Sequence, residues 1–248
     1  MRPEIYKEMA QVQDRHWWFV ARRRILDRVI TALKLPGDAK ILEIGCGPGG
    51  NLAMLQGHGQ LQALETDPQA RELAAELGIC PVEAGALPEP LPFPSAAFDL
   101  VCLFDVLEHI GNDREALQAV AGLLKPGGRI LITVPAYAWL WSAHDEAHHH
   151  QRRYTASGLE QVARAAGLVP RRLGYFNTLL FPLIAAIRSL QRLTGKSADS
   201  DAALPSPGLN RLLTAIFGLE RHLLPLGTFP FGTSVLAVLE NPPCSPRP

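Results

Sequence analysis

Cysteine is scarce in this chain: there are four among 248 residues, Cys46, Cys80, Cys102 and Cys244, and no CxxC pair. That spacing leaves no disulfide framework to read, and three of the four stand beside predicted strands in apolar surroundings. This pattern suits small buried thiols in a reducing compartment. Net charge is lacking too, because 24 Lys and Arg balance 24 Asp and Glu. No global field therefore draws the chain onto nucleic acid or an anionic membrane, and nucleic acid is not an expected partner. There is no long hydrophobic run. The longest, residues 178–187, is about half of what a bilayer span requires. The charged stretch at residues 1–13 lacks the apolar core of a secretory signal, and no internal repeat is visible. The expected location is the cytoplasm.

What the chain does have is apolar mass and alternation. Apolar residues make up 47% of the sequence, enough to cover both faces of a central sheet. Strand-like runs at 40–44, 60–65, 79–83, 98–104 and 129–134 alternate with segments carrying apolar residues at helical spacing, 51–56, 68–77 and 113–124. This order argues for an α/β fold with a parallel sheet wrapped by helices. Pro68 suits a first helical turn, and Lys125-Pro126-Gly127-Gly128 reads as a helix stop and a turn. A helix capped by Thr155 and closed by Gly167 follows, then strands at 169–175 and 234–240. Two amphipathic helical patterns, 179–193 and 209–224, fill the gap between those strands, joined by a Gly/Ser/Asp/Pro-rich linker. A structureless loop of that length is improbable inside a sheet, so a helical insertion is expected. We expect one domain over 1–248: an N-terminal helical lid (1–36), a core (37–175), the insertion or cap (176–231) and a last strand (232–242).

Chemistry concentrates first at Glu43-Ile44-Gly45-Cys46-Gly47-Pro48-Gly49-Gly50. Glycines directly after a strand let a ligand approach the backbone closely. Gly45, Gly47 and Gly50 satisfy G-x-G-x-x-G, and Glu65 follows about 20 residues later, so a dinucleotide and an NAD(P)-dependent oxidoreductase are a legitimate reading. Glu43 argues otherwise. A carboxylate at the strand end suits a cationic amino group and is poorly placed beside a pyrophosphate, where like charges repel.

The strings ILEIGCGPGG, LPFPSAAFDLVCLFDVLEHI and LLKPGGRILITVP together resemble the class I S-adenosylmethionine (SAM)-dependent methyltransferases, in the branch that includes the ubiquinone-biosynthesis O-methyltransferases. The resemblance extends to a bacterial subgroup with HWWF near the N-terminus and WSAHDE…RRYT after the fifth strand. It implies a Rossmann-like fold with a seven-stranded, mostly parallel sheet and an antiparallel last strand, and SAM lying across the carboxyl ends of the first strands. It implies that Glu43, Gly45 and Gly47 hold the methionyl part, that Glu65 takes the ribose hydroxyls, and that Leu87 lies near adenine and Phe104 near the methionine end; Cys46 and Thr66 are further cofactor-binding candidates. Many relatives carry an Asp near Ala86 that receives the adenine amino group. Alanine stands here, which leaves that contact to backbone groups. The run His16-Trp17-Trp18-Phe19, with Arg22-Arg23-Arg24 behind it, reads either as an ordinary amphipathic helix with an aromatic core face or as a helix that lids the SAM pocket, in which case the resemblance makes Arg22 the residue that reaches the methionine carboxylate.

On the acceptor side, methyl transfer needs alignment of nucleophile and methyl and, where the nucleophile is protonated, a base. The resemblance favours oxygen on a small or lipid-like acceptor; a non-catalytic binding module on the same fold is the rival reading. His144 and His150 are the candidate bases, with Asp145 able to orient one of them, and Asp105 is a further catalytic candidate near the methyl donor. Glu108 and His109 are expected at the start of the helix after the fourth strand, in a structural role. The polar stretch 144–154 also reads as a solvated lid loop. Its His, Asp and Glu spacing matches no ligand template, so no metal is expected. The basic-flanked apolar helices of 176–231 fit a cap over an apolar substrate site, a homodimer interface or a peripheral membrane contact.

Overall fold

The computed structural model describes residues 3–194 and 204–242. Seven strands are hydrogen-bonded in the order β3-β2-β1-β4-β5-β7-β6: β1 (Lys40–Ile44), β2 (Gln60–Glu65), β3 (Val82–Ala84), β4 (Phe98–Phe104), β5 (Leu124–Pro135), β6 (Val169–Phe176) and β7 (Ser234–Glu240). Contacts among the first five are parallel, and β7 runs antiparallel to both β5 and β6. The Rossmann-like sheet and its antiparallel last strand are those expected from the sequence. Order reverses between β1 and β4, so a crevice opens at their carboxyl ends, where open α/β sheets place ligands.

Ten α-helices accompany the sheet among the described residues: α1 (Pro3–Val12), α2 (Trp17–Leu33), α3 (Leu52–Gln56), α4 (Pro68–Glu76), α5 (Asp113–Leu123), α6 (Ala143–Ala147), α7 (Ala156–Ala165), α8 (Phe181–Thr194), α9 (Pro207–Gly218) and α10 (Glu220–Leu223). Local chemistry sets their starts. Asp67 Oδ1 accepts from the N–H groups of Gln69 and Ala70 at 3.0 Å each, with Pro68 in the first turn of α4. Thr155 Oγ1 caps α7 through Gly158 N–H at 3.1 Å. The aromatic N-terminal segment is two helices rather than one, because His16 Nδ1 accepts from Trp18 N–H at 3.3 Å and starts α2 afresh.

Each face of the sheet has its own core. Leu42, Val101 and Ile130 pack with Leu117 and Val120 of α5 and Leu159 of α7 on one side. Ile41, Leu100 and Leu131 meet Ile25, Leu26 and Val29 of α2 and Phe217 of α9 on the other. Most of α2 is therefore core, which leaves only α1 and the first turns of α2 for the lid role expected over 1–36. At about 25 cal/mol per Å² of apolar surface, each of these buried aliphatic side chains contributes about 1.5–3 kcal/mol.

Three local departures have plain causes. β5 begins at Leu124 instead of residue 129, because Leu124 already pairs with Phe98 and the glycines are absorbed as an irregularity in register before Leu100 pairs with Arg129. The second insertion helix breaks after Gly218 into α10 and a 3-10 turn at Leu224–Leu226. There Glu220, wholly buried, accepts from the N–H groups of Asn177, Thr178 and Leu179 at 2.7, 2.6 and 2.9 Å and so ties the insertion to the end of β6. The stretch after residue 142, read as a loop, contains α6, with Ser142 and Asp145 forming a reciprocal capping box. Most of the expected linker after α8, and Cys244, lie outside the described residues; Cys46 and Cys102 are buried and Cys80 half-buried, all free thiols. Among the described residues no helix is long and apolar enough to cross a membrane.

Candidate active site

A cavity of about 660 Å³ occupies the crevice, within the range of about 300–1,000 Å³ of small-molecule sites. The glycine turn after β1, the carboxyl ends of β2, β4 and β5, helix α1, the start of α2 and the inner face of α8 all border it. Of the nine residues expected at a cofactor, eight line it: Arg22, Gly45, Cys46, Gly47, Glu65, Thr66, Leu87 and Phe104. The ninth, Glu43, lies behind the wall.

The turn is built by backbone demands. Gly45 and Gly47 have φ of 71° and 55°, left-handed values that favour glycine. A Cβ on Gly45 would stand 2.6 Å from Val106 Cγ2, whereas a Cβ on Gly47 meets nothing within 4 Å. Gly47 thus opens onto free space. Glu65, at the end of β2 and 4% exposed, fastens the turn: its Oε2 accepts from Gly47 N–H at 2.7 Å and its Oε1 from Asp67 N–H at 2.9 Å. Burial raises its carboxyl above the usual range, and these N–H donors oppose the rise. Glu43 is wholly buried, with Oε1 held by Asn51 Nδ2 at 2.8 Å and Oε2 without a partner. Burial pushes its pKa up to about 8.

Across the cavity wall Arg22 is almost fully buried, yet it holds a position in three groups at once. Its Nη2 donates to Thr133 Oγ1 and to Asp105 Oδ2, both at 2.7 Å. Its guanidinium carbon lies 4.7 Å from the Trp18 ring centroid and 5.5 Å from that of Phe104. Its Nε has no partner. Asp105, placed just beyond β4 with a left-handed φ of 58°, is thus committed to Arg22 and to the Thr133 hydroxyl, which donates to it at 3.2 Å. Asn51, which lines the cavity, and Thr133, which holds Arg22 and Asp105, are residues that sequence reasoning passed over. The one signal was a lone hydroxyl in the otherwise aliphatic string of β5.

His144 and His150 also line the cavity, together with His109, His148, Glu108 and Arg153. Asp145, buried, organises them: its Oδ1 meets His150 Nδ1 at 2.8 Å, and Arg153 Nε and Nη2 grip its two oxygens at 2.7 and 2.8 Å. Burial alone would raise the Asp145 carboxyl, but His150, Arg153 and Ser142 N–H together hold it below the usual range. The rings of His144 and His148 stack with centroids 4.0 Å apart, and those of His109 and His150 meet edge to face at 4.7 Å. Burial first, then neighbouring imidazoles, lowers His109 to about 4 and His148 to about 2. Glu108 and His109 are not at a helix start. They sit in a 3-10 turn, Leu107–His109, and α5 begins later on its own cap, Asn112. From this turn Glu108 points inward: it is wholly buried, neither carboxylate oxygen has a hydrogen-bond partner, and burial raises its pKa strongly.

Residues 16–173 match the family model described as a methyltransferase domain. The chain is 28% identical over 184 residues to malonyl-[acyl-carrier protein] O-methyltransferase of Enterobacter lignolyticus, covering 71% of this chain and 72% of that one. It is 32% identical over 120 residues to ubiquinone biosynthesis O-methyltransferase of Xanthomonas campestris, covering 44% and 47%. The chain thus spans about half the length of the latter. Among solved structures, geranyl diphosphate C-methyltransferase of Streptomyces coelicolor, crystallised with S-adenosyl-L-homocysteine, shares the fold with a TM-score of 0.58 at 14% identity over 86% of this chain and 73% of that one. Haemonchus contortus phosphoethanolamine N-methyltransferase 2, solved with SAM, does so with a TM-score of 0.57 at 16% identity over 88% and 52%. The chain belongs to the class I SAM-dependent methyltransferases, and SAM is its cofactor.

Proposed function

We propose that the chain methylates an oxygen of a small or lipid-like acceptor, and that the residues around the glycine turn hold the methyl donor. The observation that carries this reading is that one cavity is bordered both by the glycine turn with Glu65 and Arg22 and by the imidazole cluster of His144 and His150. Bound SAM supplies a methyl carbon already activated on a sulfonium. The chain's own task is placement, exclusion of water and, for a protonated acceptor, removal of a proton.

The residues fit that donor. Gly47 leaves open space beside the turn, and Cys46 and Thr66 border the same wall. The Glu65 oxygens, each accepting one backbone N–H, keep lone pairs for two ribose hydroxyls. Leu87 offers an apolar surface to adenine, and Phe104 flanks the methionyl end. Arg22, fixed by Asp105 and Thr133, takes the carboxylate. Asp105 then acts as a positioning residue for Arg22. Glu43 acts from behind the turn, its unpartnered oxygen favouring a cationic amino group. An acid at the end of β1 suits a cationic amino group and not a pyrophosphate, which argues against the dinucleotide reading of these glycines.

His150, oriented through Nδ1 by Asp145, has its Nε2 left to serve the acceptor, with His144 beside it. Ile184 and Ile187 of α8, with Trp17 and Phe19, give the acceptor space an apolar side, which supports a cap over a lipid-like substrate. Oxygen as the atom is supported by the two O-methyltransferase relatives. The test is calorimetric binding of S-adenosylhomocysteine paired with thermal shifts by NAD(P), followed by transfer of labelled methyl from SAM to a panel of hydroxylated and carboxylated acceptors. Binding of S-adenosylhomocysteine, no shift with NAD(P) and label in an ester or ether are expected; stabilisation by NAD(P) alone would overturn the reading.

A further inference from the structure

We propose that the imidazole cluster beside the donor site is a binding site for one divalent transition-metal cation of the zinc class. The ligand atoms of His144, His148 and His150 all lie within 4.8 Å of one another, and those of Glu108, His109 and His150 do the same. All five side chains border the cavity. His150 is common to both sets, so a cation bound there has four imidazoles and a carboxylate in its neighbourhood. Nitrogen-rich sites of this composition suit zinc, nickel, cobalt or iron.

Three independent features make this more than a crowd of histidines. His144 and His148 are four residues apart on and just after α6, the spacing by which two imidazoles on one helical face hold zinc. From sequence the clustering of His, Asp and Glu is visible, but a stretch read as a loop offers no helical face on which this spacing has meaning. His150 is already arranged as a ligand: its Nδ1 faces Asp145 at 2.8 Å, Asp145 is locked by Arg153, and Nε2 faces Glu108 Oε1 at 4.0 Å. A carboxylate behind a metal-bound histidine fixes ring orientation and strengthens the donor. Finally, Glu108 is wholly buried with both oxygens unpartnered, a costly state for a carboxyl group that a cation would relieve.

Geometry sets what closure requires. Ligands about 2.1 Å from a tetrahedral zinc stand roughly 3.4 Å apart. Drawing atoms in from 4.8 Å takes about an ångström of side-chain rotation, chiefly unstacking the His144 and His148 rings. The cluster borders the cavity, so the cation keeps a position open to it. An acceptor oxygen placed there would be oriented and acidified by the charge. That role rests on the methyl-transfer reading and replaces direct proton uptake by His150; cation binding itself does not rest on it.

The experiment uses tag-free full-length chain, stripped with chelator and titrated with Zn²⁺ by calorimetry and with Co²⁺ by visible absorption, with S-adenosylhomocysteine affinity measured alongside. One equivalent of cation and a visible ligand-field spectrum are expected. His144→Ala and His148→Ala should each weaken binding by at least about thirtyfold and change the spectrum, while His149→Ala, outside the cluster, should leave both unchanged. Glu108→Gln should alter the Co²⁺ spectrum in a chain whose folding is intact by circular dichroism. Substoichiometric uptake by the wild-type chain, or equal uptake by His144→Ala and His148→Ala, overturns the proposal. Loss of cation binding with S-adenosylhomocysteine affinity intact, or the reverse, tells which of the two readings has failed.

Discussion

Exchange of Glu65 for Gln separates two jobs that one side chain performs. In the folded chain its oxygens accept from Gly47 N–H at 2.7 Å and Asp67 N–H at 2.9 Å. A glutamine has one oxygen and one NH2, so whichever way the amide turns, a donor faces a donor. One hydrogen bond to a charged group is lost with or without ligand, about 1.5–3 kcal/mol, and it appears as a lower Tm. In the complex a second bond disappears, the one to a ribose hydroxyl facing the new NH2, again about 1.5–3 kcal/mol, or roughly 10- to 150-fold in Kd. The assay is calorimetry with S-adenosylhomocysteine and with its ribose-modified analogue, beside thermal denaturation of the free protein. The variant should bind the parent ligand 10- to 150-fold more weakly while the penalty for modifying the ribose shrinks. A fall in Tm with affinity unchanged within threefold would refute the ribose assignment and leave Glu65 as a clamp on the turn alone.

Other outcomes follow from the same geometry. Gly47→Ala places a methyl in open space at a left-handed φ, so it should cost only about 1 kcal/mol in stability yet weaken S-adenosylhomocysteine binding severely; normal binding in calorimetry would show that nothing occupies that space. Glu43 has its folded pKa raised to about 8, so the native chain retains a proton that the unfolded chain releases, and its contribution to stability falls as pH rises from about 5 to 8. A cationic ligand favours its ionised form, so S-adenosylhomocysteine affinity should climb between pH 6 and 7.5, by up to about tenfold per unit, and the climb should vanish in Glu43→Gln; equal slopes in both proteins would remove Glu43 from the site. Glu220→Gln sets an NH2 group against three converging N–H donors and should lower stability by about 2–4 kcal/mol in urea denaturation, with the insertion losing hydrogen-exchange protection first.

The sheet was readable from residue order because its signals are local and repeated. The central parallel strands β1 and β4 are apolar runs buried on both faces, and the crossover helices α4 and α5 carry their own start signals, Asp67-Pro68 and Asn112. The strand ends were less readable, since pairing decides them: Leu124 joins β5 only because Phe98 stands opposite. The break at His16 was hidden for a similar reason. A histidine is a rare helix cap, and nothing in HWWF announces that its ring will turn back to Trp18.

Site residues divide along the same line. Those set by backbone need, Gly45, Gly47 and the acid at the end of β2, could be located by spacing, and all three border the cavity. Long-range pairings could not be read this way. Arg22 is expected from the resemblance, but its partner Thr133, 111 residues away, meets it only because α2 packs across the sheet, and Arg153 reaches Asp145 only once α6 has turned the chain. Glu108 shows the limit most sharply. A charged residue beside a helix looks from sequence like a solvated cap, but here the local turn is 3-10 and directs the carboxyl into the interior. Sequence spacing reports which groups are neighbours along the chain, whereas the chemistry of this cavity depends on which charges the fold has stripped of water. A buried acid without partners, as Glu108 is here, therefore carries information that its place in the sequence does not.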